Sequence, residues 1–323
     1  MSADLEKVAL DEVFLLGSLI KIGEVSALYA APNVGKTLMT IALLIDSIRL
    51  GRINPALVYC VNADDNLNGL IQKLRIADEF DFHMLAEGHL DFKVTDLPDL
   101  MDEAIANDQA RGVVMIIDTA KKVTNLMDKT RVSNFTALMR RFVGAGGTIV
   151  ALAHINKKHG ADNSPIYAGT SDVVDDADCA YTLDVLDSSD PVEKVVVFKN
   201  IKRRGNNAQT ACYRYSGEPE LSYEALLASV SPVDESQLQT IRREADLQSD
   251  TAAIKATITA IQEGIETKMK LADAVADRAG ISKRAALKVI EKYTGTDPAK
   301  HRWSYEVRER GAKFYTLLPK SDD

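Results

Sequence analysis

Apolar and polar positions follow two different periods along this chain. Largely apolar runs fall at 25–30, 56–61, 113–117 and 148–153, with Ser26 and Thr148 as their polar members. Short runs of large apolar residues bounded by turn residues read as strands buried on both faces, as in a parallel sheet. Between them, apolar residues recur three and four apart. Ile41, Leu44, Ile45 and Ile48 make one such helix face. Further helical patterns span 66–78, 97–107 and 134–143, and a short strand is expected at 90–95. This alternation predicts an α/β domain with a mostly parallel sheet flanked by helices. Past residue 190 the pattern becomes that of a hairpin, with antiparallel strands at 192–198 and 209–215. Lys199, Lys202, Arg203 and Arg204 then fall at its tip. Residues 229–249 turn polar, with Pro232 and several Gln, Ser and Glu, and read as a linker with some helix. Helices follow at 252–261 and around Gly280, then two short strands at 303–307 and 314–318. The expected division is 1–228, a linker at 229–251, and 252–323.

The richest local chemistry is at 25–37, Val-Ser-Ala-Leu-Tyr-Ala-Ala-Pro-Asn-Val-Gly-Lys-Thr. A strand, a tight loop and a helix follow one another there. Backbone N–H groups of Ala31, Pro32-Asn33, Val34 and Gly35, with the helix N-terminus behind them, suit a nucleoside triphosphate. (Pro32 itself contributes no N–H.) In this reading Gly35 lets the backbone come close, Lys36 reaches the β- and γ-phosphates, and Thr37 holds Mg²⁺. The pattern is Ala30-x-x-x-x-Gly-Lys-Thr, with Ala where Gly is usual. The bland alternative is an ordinary βα turn.

Other polar residues arrive at the ends of the same strands. Asp64 and Asp65 follow the 56–62 strand, and Asp118 ends the 112–118 strand. Open parallel sheets bind ligands at the carboxyl ends of their strands. Asp118 there can orient the Mg²⁺ held by Thr37, through a water; otherwise it is a helix N-cap. His154 ends the 148–153 strand, where it either senses a γ-phosphate or is simply structural. Residues 157–169 read as a polar loop carrying Lys157 and Lys158. The basic hairpin tip, taken alone, reads as solvated surface.

Composition narrows the class. Of 323 residues, 46% are apolar and 27% charged, as in a soluble globular protein. No apolar stretch reaches 18 residues, the N-terminus has no signal pattern, and Cys60, Cys179 and Cys212 are scattered among apolar runs. These features predict a cytoplasmic protein with neither disulfide nor zinc. The net charge of −8 excludes a uniformly basic nucleic-acid binder. It is uneven, however: residues 264–323 hold 13 Lys/Arg and 9 Asp/Glu, so +4, and the remainder is −12. That asymmetry points the C-terminal piece at something acidic.

Taken in order, these motifs resemble the RecA-like ATPases, in particular the RepA-like plasmid and phage helicase group. They are the phosphate loop, an acid after the second strand, Ile-Ile-Asp118-Thr, Ala-His154-Ile-Asn-Lys, Gly-Thr-Ser, Asp-Ala-Asp and the basic tip. The resemblance covers about residues 10–225, and is more distant to the DnaB and RadA families. It implies ATP and Mg²⁺ as cofactors, with ATP bound between subunits of a ring, most simply a hexamer. By position, it implies Asp118 as the acid that serves the metal and Asp64 as the carboxylate that positions the attacking water. It implies His154 as the γ-phosphate sensor, and one of Lys202, Arg203 and Arg204 as the finger reaching a neighbour's nucleotide. Residues 157–169, with Lys157 and Lys158, would face single-stranded DNA in a central channel. The family usually has Glu where Asp64 stands, and Asp65 competes for its role.

The C-terminal piece resembles a winged helix-turn-helix. One helix ends at Gly280, Ser282 caps the next, and Ala274, Ile281, Ala286 and Ile290 form the seam. Lys283, Arg284 and Lys288 on the second helix, with Arg308, Arg310 and Lys313 on the wing, would contact duplex DNA. Protein contact is the alternative use of such a domain. Three functions follow: an ATP-driven DNA motor such as a replicative helicase, an ATP-switched DNA-binding or loading factor that hydrolyses slowly, and a winged-helix regulator with a vestigial ATPase.

Overall fold

The computed structural model describes residues 13–63, 65–123, 129–159, 165–167, 176–186, 190, 192–308 and 311–319; of 121, 122, 129–131, 156–159, 165–167 and 248 only the backbone is described. The chain divides into two compact units, one up to Leu238 and one from Gln239 onward.

The first unit is α/β. After a small hairpin, β1 (Phe14–Leu16) with β2 (Ile20–Lys21), comes β3 (Val25–Ala30), and then helix α1 (Lys36–Arg49). There follow β4 (Val58–Asn62), α2 (Leu67–Glu79), β5 (His83–Ala86), α3 (Leu97–Ala106), β6 (Val114–Asp118), the short α4 (Ala120–Val123), α5 (Lys129–Gly144), β7 (Thr148–His159) and β8 (Pro165–Tyr167). The unit closes with β9 (Cys179–Leu186), β10 (Glu193–Arg203), β11 (Thr210–Ser216), α6 (Tyr223–Ala228) and β12 (Ser231–Val233). The sheet order is β12-β11-β10-β9-β3-β7-β6-β4-β5, with β8 paired to β7 off that path. The run from β9 through β3, β7, β6 and β4 to β5 is parallel, and β9 to β12 is antiparallel.

Burial explains this arrangement. All six residues of β3 are buried, as expected of a parallel strand covered on both faces. One face packs on α1, α2 and α6 through Met39, Leu44, Ile116, Leu152 and Phe198. The other packs on α3, α4 and α5 through Tyr29, Met101, Ile117 and Phe142. Asn66 caps α2 by accepting from the Gly69 N–H at 2.9 Å, a polar start just before the apolar face begins.

Several expectations are corrected. Residues 90–95 hold no strand; the strand is β5, seven residues earlier, where His83 stacks on Tyr59 of the neighbouring β4. Lys202 and Arg203 lie past the β10–β11 pairing, which ends at Lys199 opposite Thr210, but on strand rather than in a turn: β10 continues through Arg203 beside β9, with a register shift between Asn200 and Lys202. Residues 157–169 are not simply a loop. β7 runs on to His159, and β8 pairs back on it, Ile155 opposite Tyr167. Much of the expected linker is helix: α7 (Glu235–Gln262) is a single helix of 28 residues. Among the described residues no helix is long and apolar enough to cross a membrane.

The second unit contains most of α7, then α8 (Lys268–Ala279), α9 (Lys283–Lys292) and the antiparallel pair β13 (Trp303–Val307) and β14 (Lys313–Leu317). Gly280 takes a left-handed φ of 65° past the end of α8, and the Ser282 hydroxyl accepts from the Ala285 N–H to start α9. Trp303 is wholly buried, and its Nε1 donates to the Ile290 carbonyl at 2.9 Å. Its ring meets Tyr293 edge-on at 6.3 Å. Trp303→Ala is expected to cost about 3–5 kcal/mol in this unit. Hydrogen exchange of the full chain would read it as faster exchange at amides of α8 and α9.

Candidate functional site

The loop between β3 and α1 is shaped by backbone conformation. Asn33 and Gly35 take positive φ, 65° and 90°. Asn tolerates this region and Gly enters it without strain. Gly35 is also the N-cap of α1, and no side chain caps the helix there. The first N–H groups of α1 are therefore left for something outside the helix, at its positive end. No acidic side chain sits in that first turn. Ala31, Pro32 and Asn33 are exposed, while Val34 and Gly35 are half-buried.

β6 lies two strands from β3 and ends at Asp118, which the register through Leu152 sets level with Leu28, two residues before the end of β3. The Thr37 hydroxyl donates to Asp118 Oδ2 at 2.5 Å. Lys36 Nζ lies 3.7 Å from Asp118 Oδ1, an ion-pair distance rather than a hydrogen bond. Lys36 is only 6% exposed. A buried ammonium is costly without a counter-charge, and Asp118 supplies one. The three residues expected to handle phosphate and metal are thus in mutual contact.

The end of β4 adds a second carboxylate. The Ala63 N–H donates to the Asp118 carbonyl at 2.7 Å, tying the two strand ends together. Asp65 accepts from Asn62 Nδ2 at 2.5 Å and is ion-paired with Lys73 of α2, which is buried. Asp64 lies outside the described residues. A cavity of about 20 Å³ opens here, lined by Thr37, Thr40, Cys60, Asn62, Lys73 and Asp118 among others. That is room for about one water. Burial pushes the Cys60 thiol up to about 12, with the Asp118 charge adding to it. Burial likewise raises the Tyr223 phenol, with Asp65 and Asp118 as further causes, and its hydroxyl is buried with no hydrogen-bond partner among the described residues. His154 pairs with Ala30 across β3 and β7, so it stands beside the start of the loop, half-buried.

Sequence reasoning missed the residues behind this front. Tyr215 of β11 packs on the loop, such that a Cβ at Gly35 would stand 3.1 Å from the Tyr215 hydroxyl oxygen. Neither Tyr215 nor Tyr223 carries a spacing signal, because each reaches the loop through the antiparallel half of the unit. Lys73 was visible only as a charge on a helix.

Other predicted residues lie elsewhere. Arg203 pairs with Cys179, and Cys179 with Ser26, so the basic end of β10 stands at the start of β3. The loop lies beyond the other end of β3, five residues or roughly 16 Å away. Lys202 is half-buried there. Arg203 donates to the Asn207 carbonyl at 3.1 Å, and exposed Arg204 pairs with Asp178 at 3.3 Å. Asp178 also accepts from Arg140 at 2.6 Å and from the Val25 N–H at 3.0 Å. Lys157 and Lys158 are on β7, backbone only; Gly169-Thr-Ser and Arg310 are outside the described residues.

In the second unit Lys283 pairs with Asp273 at 2.6 Å, and Arg284 and Lys288 are exposed on α9. Lys313 lies 4.1 Å over the Tyr305 ring and Arg308 4.6 Å over Phe314. Among the described residues no three His, Cys, Asp or Glu gather as a metal cage. A cation at the loop would therefore take Thr37 and Asp118 together with oxygens that the protein does not provide. Compared with protein-family models and with curated protein sequences, the chain matches none.

Two outcomes test this geometry. Gly35→Ala forces a Cβ into left-handed backbone and against Tyr215, and is expected to cost roughly 1–2 kcal/mol. Tyr215→Phe added to it should recover part of that loss in a double-mutant cycle of thermal unfolding. Cys60 should resist thiol reagents in the folded chain and react on unfolding. Its ordinary value of 9.0 rises to about 12 in the fold, so the folded state holds this proton more tightly. The stability linked to it is complete below pH 9 and is lost as pH climbs towards 12. Unfolding midpoints of the chain and of Cys60→Ala across that window would measure the difference.

Proposed function

We propose that this chain is a RecA-like, phosphate-loop ATPase with a C-terminal winged helix-turn-helix, using ATP and Mg²⁺ and acting on DNA as an oligomeric motor. A RepA-like replicative helicase that forms a hexameric ring is its simplest form. The observation that carries this reading is the convergence of Lys36, Thr37 and Asp118 beside an uncapped helix start.

In this mechanism the helix start and Lys36 hold the phosphates. Thr37 and Asp118, now hydrogen-bonded to each other, would hold Mg²⁺ directly or through its waters. Mg²⁺, when bound, draws charge from the β- and γ-phosphate oxygens. His154, next to the loop, reports on the terminal phosphate. Arg203 and Arg204 are too far from their own loop to touch its nucleotide, so a finger role would be played on a neighbouring subunit. Arg204 is exposed, and its partner Asp178 keeps Arg140 and the Val25 N–H when the guanidinium leaves. Lys157 and Lys158, farther along the same strand as His154, serve contact with single-stranded DNA. Lys283, Arg284, Lys288, Arg310 and Lys313 serve duplex contact.

One observation favours a second reading, an ATP-switched DNA-binding or loading factor with slow hydrolysis. Asp65 Oδ2 is already engaged by Asn62 and Lys73, and an oxygen so held is not offered to an attacking water.

The test is ATP hydrolysis without DNA, with single strands and with duplex at fixed salt, for the chain and for Lys36→Ala. Stimulation by single strands is expected. Lys36→Ala should lose at least about a hundredfold, roughly 3 kcal/mol of transition-state stabilisation. Undiminished turnover in Lys36→Ala would overturn the phosphate-loop reading, and tight ATP binding with little turnover would select the switch.

A further inference from the structure

We propose that a cleft between α7 and the segment joining α9 to β13 binds the phosphate backbone of a nucleic acid strand. This rests on the reading that the chain works on DNA, and it assigns that contact to residues other than those of the α9 face and the β13–β14 hairpin.

The cleft measures about 470 Å³ and is lined by Arg242, Arg243, Lys292, Lys300 and Arg302 against one acid, Asp246. Two of these cations are answered locally. Lys292 pairs with Asp246 and Asp250, each at 2.8 Å, and Lys300 lies 3.8 Å from Asp297. The three guanidinium groups are not. Arg243 donates to the Ala299 carbonyl at 2.7 Å. Arg302 donates to the carbonyls of Pro298 at 3.2 Å and His301 at 3.1 Å. A carbonyl orients a guanidinium but leaves its full charge uncompensated. Arg242 is exposed and has no acidic partner among the described residues. Three like charges gathered at one concavity repel one another unless an anion joins them, and a planar guanidinium matches a phosphate in two-point contact.

The chemistry favours phosphate over base. Tyr293 is 4% exposed and its hydroxyl donates to Asp250 at 3.1 Å, so its ring face is not offered for stacking. The His301 ring is packed against Gly295, where a Cβ would stand 2.5 Å from it. With no free ring the cleft lacks a stacking platform.

The shape favours an extended anion over a small one. Arg284, Lys288 and Lys292 recur every four residues on α9, so exposed cations lead along the helix to the cleft. Eight residues of helix span about 12 Å. A linear polyanion lies along such a strip and ends in the cleft. The contact it makes is independent of sequence and sensitive to salt.

The experiment uses the full chain and fluorescence anisotropy with a labelled single strand and a labelled duplex over a series of salt concentrations. The variants are Arg242→Gln/Arg243→Gln and, as a second pair on exposed positions, Arg242→Gln/Lys300→Gln; thermal unfolding checks that both fold. The first pair is expected to weaken duplex binding at least about tenfold at low salt and to lower the slope of log K against log salt by about 1.8, near 0.9 per lost contact; the second pair, which removes one of the three guanidinium groups, is expected to lower the slope by about half as much. ATP hydrolysis without DNA should be unchanged. If slope and affinity stay the same while Arg284→Gln/Lys288→Gln reduces both, DNA is bound elsewhere and the cleft assignment falls. If inorganic tripolyphosphate binds and is lost in the variants with DNA affinity intact, the cleft takes a small polyphosphate and the proposal is overturned. If the unaltered chain binds no DNA at low salt, the proposal falls together with the reading beneath it.

Discussion

A lysine ammonium buried at the carboxyl edge of a central sheet needs a counter-charge, and that constraint organises the first unit. Lys36 lies almost wholly out of solvent, with Asp118 3.7 Å away. For Asp118 to be there, β6 must end level with Leu28 of β3, two residues short of that strand's end, while β7 lies between them. For Lys36 to be there, the chain must turn into α1 through two left-handed residues. Sheet register, loop conformation and helix start are thus three conditions on one pair of charges. The pair is also the part of the molecule least suited to remain as it is. A buried ion pair gives modest net stability for the desolvation it requires. An anion with several oxygens, bringing its own cation, would satisfy both partners better than they satisfy each other.

The antiparallel half of the same sheet supports this front from the side. β11 sets Tyr215 against Gly35, and α6 follows with Tyr223 in the field of Asp65 and Asp118. Residues 180 positions or more along the chain thereby fix the conformation of a loop near its beginning. The opposite end of the same strands carries a separate network around Asp178, which ties Arg140, Arg204 and the start of β3 together. Each end of β3 is therefore anchored by charge, and its middle by burial.

The parallel core was legible because its signals are local. Five apolar residues before Asp118, and an apolar run before a Gly-Lys-Thr, announce strand ends by composition alone. The caps at Gly280 and Ser282 were legible for the same reason, since each acts within three residues of itself. Elsewhere tertiary context prevailed. Residues 90–95 have strand-like content, but the sheet edge is taken by β5, whose His83 stacks on a residue 24 positions earlier. The polar composition of 229–249 suggested a linker, yet polar residues are good helix formers where one side is solvated, and they make up the first half of α7. The front of the candidate site, Lys36, Thr37 and Asp118, was readable from spacing. Its support, Lys73, Tyr215 and Tyr223, was not, since the contacts are made across folds of the chain that no periodicity records.

β7 has one mechanical property worth drawing out. It does not stop where its neighbours stop. The strand passes His154 at the level of the loop and continues to His159, with β8 alongside. Five residues of strand reach about 17 Å. That reach is held in the sheet at one end, and its pairing with β8 is irregular between Ile155 and His159, where a strand pair bends and twists. A small tilt at the held end, where His154 sits, sweeps the free end through a proportionally longer arc.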